Sequence, residues 1–169
     1  MPKTLIECLS FRLMTVDDLA AVQELDKQSF ANPWPEGAFK YELIESQNSR
    51  CWVAEIKQNQ QIRVIGSAVI WIILDEAHIA TLAVDPIYRG HGIGRRLLAV
   101  ALIDAYRVGA SKAFLEARKN NKDALHLYYG FGFTAVGIRP GYYPDNHEDA
   151  LLLTLDELDP SKLEKLIEV

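Results

Sequence analysis

Cysteine is scarce: the 169-residue chain has two, Cys8 and Cys51. They form no CxxC and have no metal-type spacing, and two thiols do not make a disulfide framework. A reducing cytoplasm is therefore the expected home. Long apolar runs are also lacking, and none approaches the roughly 20 residues of a membrane-spanning helix. The opening residues, Met1 to Glu7, meet an acid before any apolar core develops, so they do not read as a secretory signal. No Pro/Gly/Ser-rich linker, repeat or low-complexity tract interrupts the chain. An excess of basic residues is missing too. The net charge is −5, the sequence pI is about 5.4, and no basic arm carries interleaved aromatics, which makes nucleic acid a weak candidate partner.

What is present is an ordinary globular mixture, 49% apolar and 24% charged. The length suits one domain over residues 1–169 and is thin for two. The stretch 155–169 reads as a C-terminal extension, helical from Pro160. The charge is unevenly spread. Residues 1–84 carry 7 basic and 11 acidic side chains, residues 85–122 carry 8 and 3, and residues 123–169 carry 3 and 9. A basic centre with acidic flanks suits an anionic ligand held centrally and a cationic one nearby, or simply a solvated helix face.

Periodicity gives the order β-α-α-β-β-β-α-β-α-β-β. Strands are expected at 6–13, 51–56, 62–74, 78–84, 113–117, 133–138 and 150–155. Thr15 with Asp18 reads as an N-cap, followed by a helical face of Leu19, Val22 and Leu25. Pro35 is expected to open a second helix through Phe39, Leu43 and Ile44, and Asp75-Glu76 to turn between two strands. Leu97, Leu98, Ala101, Leu102 and Ala105 mark a central helix. A short helix at 123–129 is expected to end at Gly130. The pattern fits an α/β sheet with helices on both faces, largely antiparallel early and with a parallel pair around the central helix.

The strongest signal is Val84-Asp85-Pro86-Ile87-Tyr88-Arg89-Gly90-His91-Gly92-Ile93-Gly94-Arg95-Arg96, joining a strand to that helix. Glycines allow a tight turn and close ligand approach, and the helix start offers unpaired N–H groups to an anion, with Arg89, Arg95 and Arg96 adding charge. A phosphate-binding P-loop fails for want of Gly-Lys-Ser/Thr, and the dinucleotide fingerprint fails on glycine spacing.

Arg89-Gly90-His91-Gly92-Ile93-Gly94 resembles the Q/R-x-x-G-x-G/A pyrophosphate loop of the GCN5-related N-acetyltransferases (GNAT). The resemblance takes in the strand Leu82-Ala83-Val84, Asn120-Asn121, the run Ala124 to Phe133, and Arg139-Pro140-Gly141-Tyr142-Tyr143-Pro144 with Glu148-Asp149-Ala150. The last two favour the RimI type, the bacterial N-terminal acetyltransferases of ribosomal proteins. It implies the GNAT fold, a twisted, mixed, mostly antiparallel sheet of about seven strands. It also implies acetyl-CoA as cosubstrate and a protein N-terminus as acceptor. With the composition, the expectation is direct attack in a ternary complex by a cytoplasmic enzyme with no metal, no membrane and no direct nucleic-acid partner. The coenzyme would lie along Leu82, Ala83, Val84, Arg89, Gly90, His91, Gly92, Ile93, Gly94, Arg95, Asn121 and Tyr128. Rival readings are a GNAT acting on lysine or small-molecule amines, and a non-catalytic acyl-CoA-binding module.

Amide formation from a thioester needs a base for the amine, donors for the oxyanion and a proton for the thiolate. Glu116, an acid inside the apolar strand Phe114 to Ala117, must be paired or working. Arg118 would be the pairing partner, and the resemblance implies a general base. Tyr128 shares a helical face with Ala124 and Asn121; it is a packing anchor or, as the resemblance implies, the general acid. Main-chain amides near Val84 are the expected oxyanion donors. Trp34, Tyr142 and Tyr143 could wall the acceptor entrance, and Glu36, Asp145 and Glu148 could meet a basic peptide. The cysteines read as core residues, and His78, His91, His126 and His147 have no metal spacing.

Overall fold

The computed structural model describes residues 8–58 and 60–168. The strands are β1 (Leu9–Leu13), β2 (Ser49–Gln58), β3 (Gln61–Ile73), β4 (Glu76–Val84), β5 (Lys112–Arg118), β6 (Thr134–Arg139) and β7 (Ala150–Leu155). The helices are α1 (Leu19–Ser29), α2 (Ala38–Ile44), α3 (Ile93–Arg107), α4 (Lys122–Phe131) and α5 (Pro160–Ile167). All seven strands join one sheet in the order β1-β2-β3-β4-β5-β7-β6. Every neighbouring pair is antiparallel except β4 and β5. The α/β class, the seven strands and the parallel pair around the central helix are as expected.

The near-continuous apolar runs of β2 and β3 belong to strands covered on both faces. Ala54, Ile56, Ala68 and Ile70 pack with α3, while Cys51, Val53 and Val69 pack with Val22 of α1 and Phe39 of α2. The five residues that marked the central helix are all 0% exposed. Full burial of each of its leucines contributes about 2 kcal/mol. β3 lets α3 come close at Gly66, where a Cβ would lie 3.3 Å from Leu97 Cδ2 and 3.2 Å from Ala54 Cβ. That approach fixes where the start of α3 lies over the end of β4.

Four local expectations differ. The Thr15/Asp18 capping box is present, but it closes a 3-10 turn, Val16–Asp18, that runs into α1. Pro35 precedes α2 rather than opening it: Ala38 N–H donates to Pro35 O (3.1 Å), and Gly37 is the N-cap. β4 starts at Glu76, so the turn is Leu74-Asp75, not Asp75-Glu76. Gly130 lies inside α4, which ends at Gly132. Of the first expected strand, residues 6 and 7 lie outside the described residues. Cys51 is buried, but Cys8 is exposed and is not a core residue. α5 packs against α3, with Leu163 buried.

Candidate active site

β4 and β5 stay paired for three residues, Glu76–His78 against Lys112–Phe114, and then part. The crossover that makes two strands parallel does not oblige them to run side by side to their ends. Beyond His78 a cavity of about 310 Å³ opens between them. A bulge against β3 pairs Val69 with Thr81 and Ile70 with Ile79, leaving Ala80 unpaired at the cavity wall. Asp85 N–H donates to Ile65 O at 2.8 Å. Strand alternation therefore turns the N–H groups of Val84 and Leu82 away from β3, into the gap.

β4 ends at Val84, two residues beyond Leu82, the last residue of that strand to line the cavity, and the loop follows. Asp85 caps a 3-10 turn, Pro86–Tyr88. Gly90 and Gly92 then adopt φ of +76° and +74°, a left-handed conformation that side chains disfavour. Gly92 is the N-cap of α3 and brings no side chain to the first amides, whereas Asn121 caps α4 and Asp159 caps α5. The start of α3 thus keeps free donors and the positive end of the helix dipole. Gly94 is in the first turn, where a Cβ would be in ordinary contact with Val84 Cγ2 at 3.5 Å. Ile93 is buried; Arg95 and His91 are exposed, the latter with Nδ1 3.2 Å from Tyr88 O. Arg89 folds back, its Nε donating to Val84 O (2.9 Å) and a terminal nitrogen to Ser29 Oγ (3.3 Å). Arg96 departs from the expected ring of charge: its guanidinium lies over Phe11, 5.4 Å from the ring centre.

Glu116 on β5 and Tyr128 on α4 line the same cavity, with Asn121, Ala124 and Leu82. Asn121 Oδ1 is occupied by the N–H of Ala124 (3.1 Å). Tyr128 is 9% exposed and Tyr129 49%, so the inward phenol is Tyr128. Burial pushes the Tyr128 phenol up to about 12. It packs edge-on against Phe133, with ring centres 5.9 Å apart. The alternative Glu116–Arg118 pair does not form. Glu116 instead pairs with Arg139, Nε to Oε1 at 3.1 Å. Arg118 is held by Asp145 (2.7 Å) and Glu148 (3.2 Å), and lies 3.9 Å from the centre of the Tyr143 ring. Asp145 and Glu148 are therefore tied up by an arginine rather than free for a basic peptide.

On the acceptor side, Trp34 and Tyr143 line the cavity; Tyr142 sits outside its lining, edge-on to Tyr143 at 5.2 Å. Trp34 stacks on Phe39 (4.9 Å) and Trp71 (6.3 Å), and its main-chain N–H donates to Asp26 Oδ2 (2.6 Å). The mouth is bridged where Asn32 Nδ2 donates to Asp145 (3.0 Å). Among the described residues no group of three or more His, Cys, Asp or Glu could hold a metal.

The model of the Acetyltransferase (GNAT) family matches residues 19–133, which span the loop, Glu116 and Tyr128. The chain is a GNAT acetyltransferase. Among its relatives in the family, the Bacillus subtilis (strain 168) protein named putative [ribosomal protein bS18]-alanine N-acetyltransferase is 36% identical over 142 residues, 84% of this chain and 91% of its own. The Mycobacterium tuberculosis (strain H37Rv) N-alpha-acetyltransferase RimI is 35% identical over 158 residues, 92% and 97% of the two chains. The crystal structure of the Escherichia coli ribosomal-protein-S18-alanine N-acetyltransferase superposes with a TM-score of 0.78 at 29% identity, covering 89% of this chain and 96% of that one.

In this GNAT chain several cavity residues carried no sequence signal. Ser29, Phe30, Ala31 and Asn32 join the wall because the end of α1 and the segment after it reach the diverging strands. Ile79, Ala80 and Thr81 do so through the bulge. Arg139 could have been found as a cation flanking the Tyr142-Tyr143 pair, but only the sheet order brings it to Glu116.

Proposed function

We propose that the enzyme transfers the acetyl group of acetyl-CoA to the N-terminal α-amine of a protein in the cytoplasm. The acceptor is the N-terminus of a ribosomal protein, bS18 by analogy with the relatives' names. The observation that carries this reading is the parting of β4 from β5, with Glu116 and Tyr128 on the walls of one cavity, and the uncapped start of α3 beside the end of β4, where Gly94 lies against Val84. The coenzyme's diphosphate suits the amides around Gly90 to Arg95, and its pantetheine arm suits the outward N–H groups of Leu82 and Val84. Bound there, acetyl-CoA supplies an activated acyl carbon.

Glu116 accepts the proton that the acceptor ammonium must lose before its nitrogen can attack, directly or through one water. An α-amine gives up that proton near pH 8, far more readily than lysine near 10.4, which suits a carboxylate base. Amides on the gap side of β4 donate to the oxygen as its charge grows. Tyr128, still protonated at neutral pH, hands its proton to the departing sulfur. The amide forms and the thioester breaks; the acceptor nitrogen has lost two protons, one to Glu116 before attack and one after it to the Tyr128 phenolate, which replaces the proton given to sulfur, and Glu116 releases its proton to solvent. Among the cavity's lining residues Glu116 is the single acid, so a polyamine with several charges finds one counter-ion there.

The test is turnover with acetyl-CoA of peptides beginning in Ala or Ser, beside lysine peptides and polyamines, for the wild type, Glu116→Gln and Tyr128→Phe. Peptide N-termini should be acetylated, and each substitution should lower kcat about 10²-fold or more. Turnover of polyamines alone would remove the proposed acceptor. Wild-type rates in both variants would remove the proposed chemistry.

A further inference from the structure

Glu116 sits in the middle of β5, and the cation nearest in sequence, Arg118, is taken by Asp145 and Glu148. Its partner comes from two strands away. Arg139 ends β6 and is opposite Ala150 of β7, which is opposite Arg118 of β5. Paired residues on neighbouring strands point to the same face, and the residue between is only a methyl. Arg139 thus reaches across β7 to put Nε 3.1 Å from Glu116, with its guanidinium also 5.6 Å from the centre of the Tyr142 ring. The Arg139 side chain is 55% exposed and that of Glu116 29%, so the pair is solvent-screened and contributes little to folding. What it does constrain is the direction of the carboxylate at the cavity wall.

We propose that Arg139 is a positioning residue: it holds the Glu116 carboxylate turned toward the acceptor amine. The inference rests on the proposed role of Glu116 and extends it to a residue outside the cavity's lining. Arg139→Gln should lower kcat about tenfold or more, as small misplacements of catalytic groups do. The KM for acetyl-CoA and the melting temperature should stay at wild-type values. Arg139→Lys should recover part of the loss, since it keeps the charge but not the planar fork. Added guanidinium should raise the rate of Arg139→Gly several-fold and leave Glu116→Gln and the wild type unchanged. A wild-type or increased kcat in Arg139→Gln, beside a disabled Glu116→Gln, would overturn the positioning role and leave the proposed reaction standing. Loss in Arg139→Gln with a lowered melting temperature, and no response of Arg139→Gly to guanidinium, would make the residue structural and overturn the inference. A fully active Glu116→Gln would remove both.

Discussion

Replacing Gly92 by aspartate and, separately, by asparagine separates backbone strain from charge at the mouth of α3. The backbone there has φ +74°, and a Cβ would meet no atom within 4 Å, so neither side chain clashes. Asn and Asp tolerate the left-handed conformation better than other residues, and the strain is common to both, about 1 kcal/mol. In a chain of this size that lowers the melting temperature by about 2–4 °C. Aspartate also regains about 0.3–1 kcal/mol at the positive end of the helix, so Gly92→Asp should melt at or above Gly92→Asn. Coenzyme binding should run the other way. A carboxylate within about 4 Å of a phosphate is repelled by about 1 kcal/mol in water and about 4 kcal/mol at a partly desolvated site. Affinity for CoA should then be roughly 5- to 1000-fold weaker in Gly92→Asp than in Gly92→Asn. Titration calorimetry with CoA at low and high salt measures this, and the gap should shrink as salt rises. Equal affinities of the two variants at low salt would refute the assignment of the loop to the diphosphate.

Burial raises the Tyr128 phenol to about 12, so the fold keeps this proton where the unfolded chain, near 10, has lost it. Stability from this group is intact below about pH 10 and drains away between about 10 and 12, by about 1 kcal/mol at pH 11. Urea unfolding at pH 9 and 11 should show that increment in the wild type and not in Tyr128→Phe. Cys8 is exposed, whereas burial pushes the Cys51 thiol up to about 11. A disulfide reagent at pH 8 should modify one thiol quickly in the native protein and two in denaturant; two fast thiols would contradict the packing of β2. Leu163 is 3% exposed, and Leu163→Ala should cost about 2–5 kcal/mol, read as a fall of roughly 5–15 °C in thermal melting. An unchanged melt would mean that α5 adds nothing to the fold.

The sequence was most legible where periodicity alone decides burial. Leu97, Leu98, Ala101, Leu102 and Ala105 share a helical face, and the sheet they meet needs no further specification. The glycine loop was legible because left-handed backbone at 90 and 92 demands that residue. The site's shape was not legible. How far β4 and β5 remain paired depends on the register set by the crossover through α3, which no local pattern encodes. That Glu116 does not pair with Arg118, the alternative the sequence left open, has a related reason. Residues two apart along a strand share a face, yet they stand further apart than partners across strands and in adjoining loops. The acids of the β6–β7 segment therefore reached Arg118 first, and Arg139 was left for Glu116. Gly130 and Gly132 competed for the end of α4, and Gly132 took it, at φ +92°.

The charge division along the chain also finds two separate causes rather than one field. At the far end of β5, Arg118 and Lys119 meet Asp145, Glu148 and Asp149, and Glu148 also accepts from Asn120 N–H (2.8 Å). The Asn120 amide and the Arg118 guanidinium hold the Glu148 carboxyl below the usual carboxylate range; Arg118 does the same for Asp145. That part of the basic centre pins the segment between β6 and β7 over the cavity, and with it Tyr142, Tyr143 and Arg139 near Glu116. The other part, at the start of α3, is thinner than composition suggests, because Arg96 is spent on Phe11 and Arg89 on Val84 O and Ser29. The attraction for an anion there falls chiefly to main-chain amides and the helix dipole, with Arg95 on the exposed side of the first turn. Under the proposed function, such an arrangement would recognise a diphosphate through backbone shape. It therefore depends on Gly90 and Gly92 more than on any single arginine.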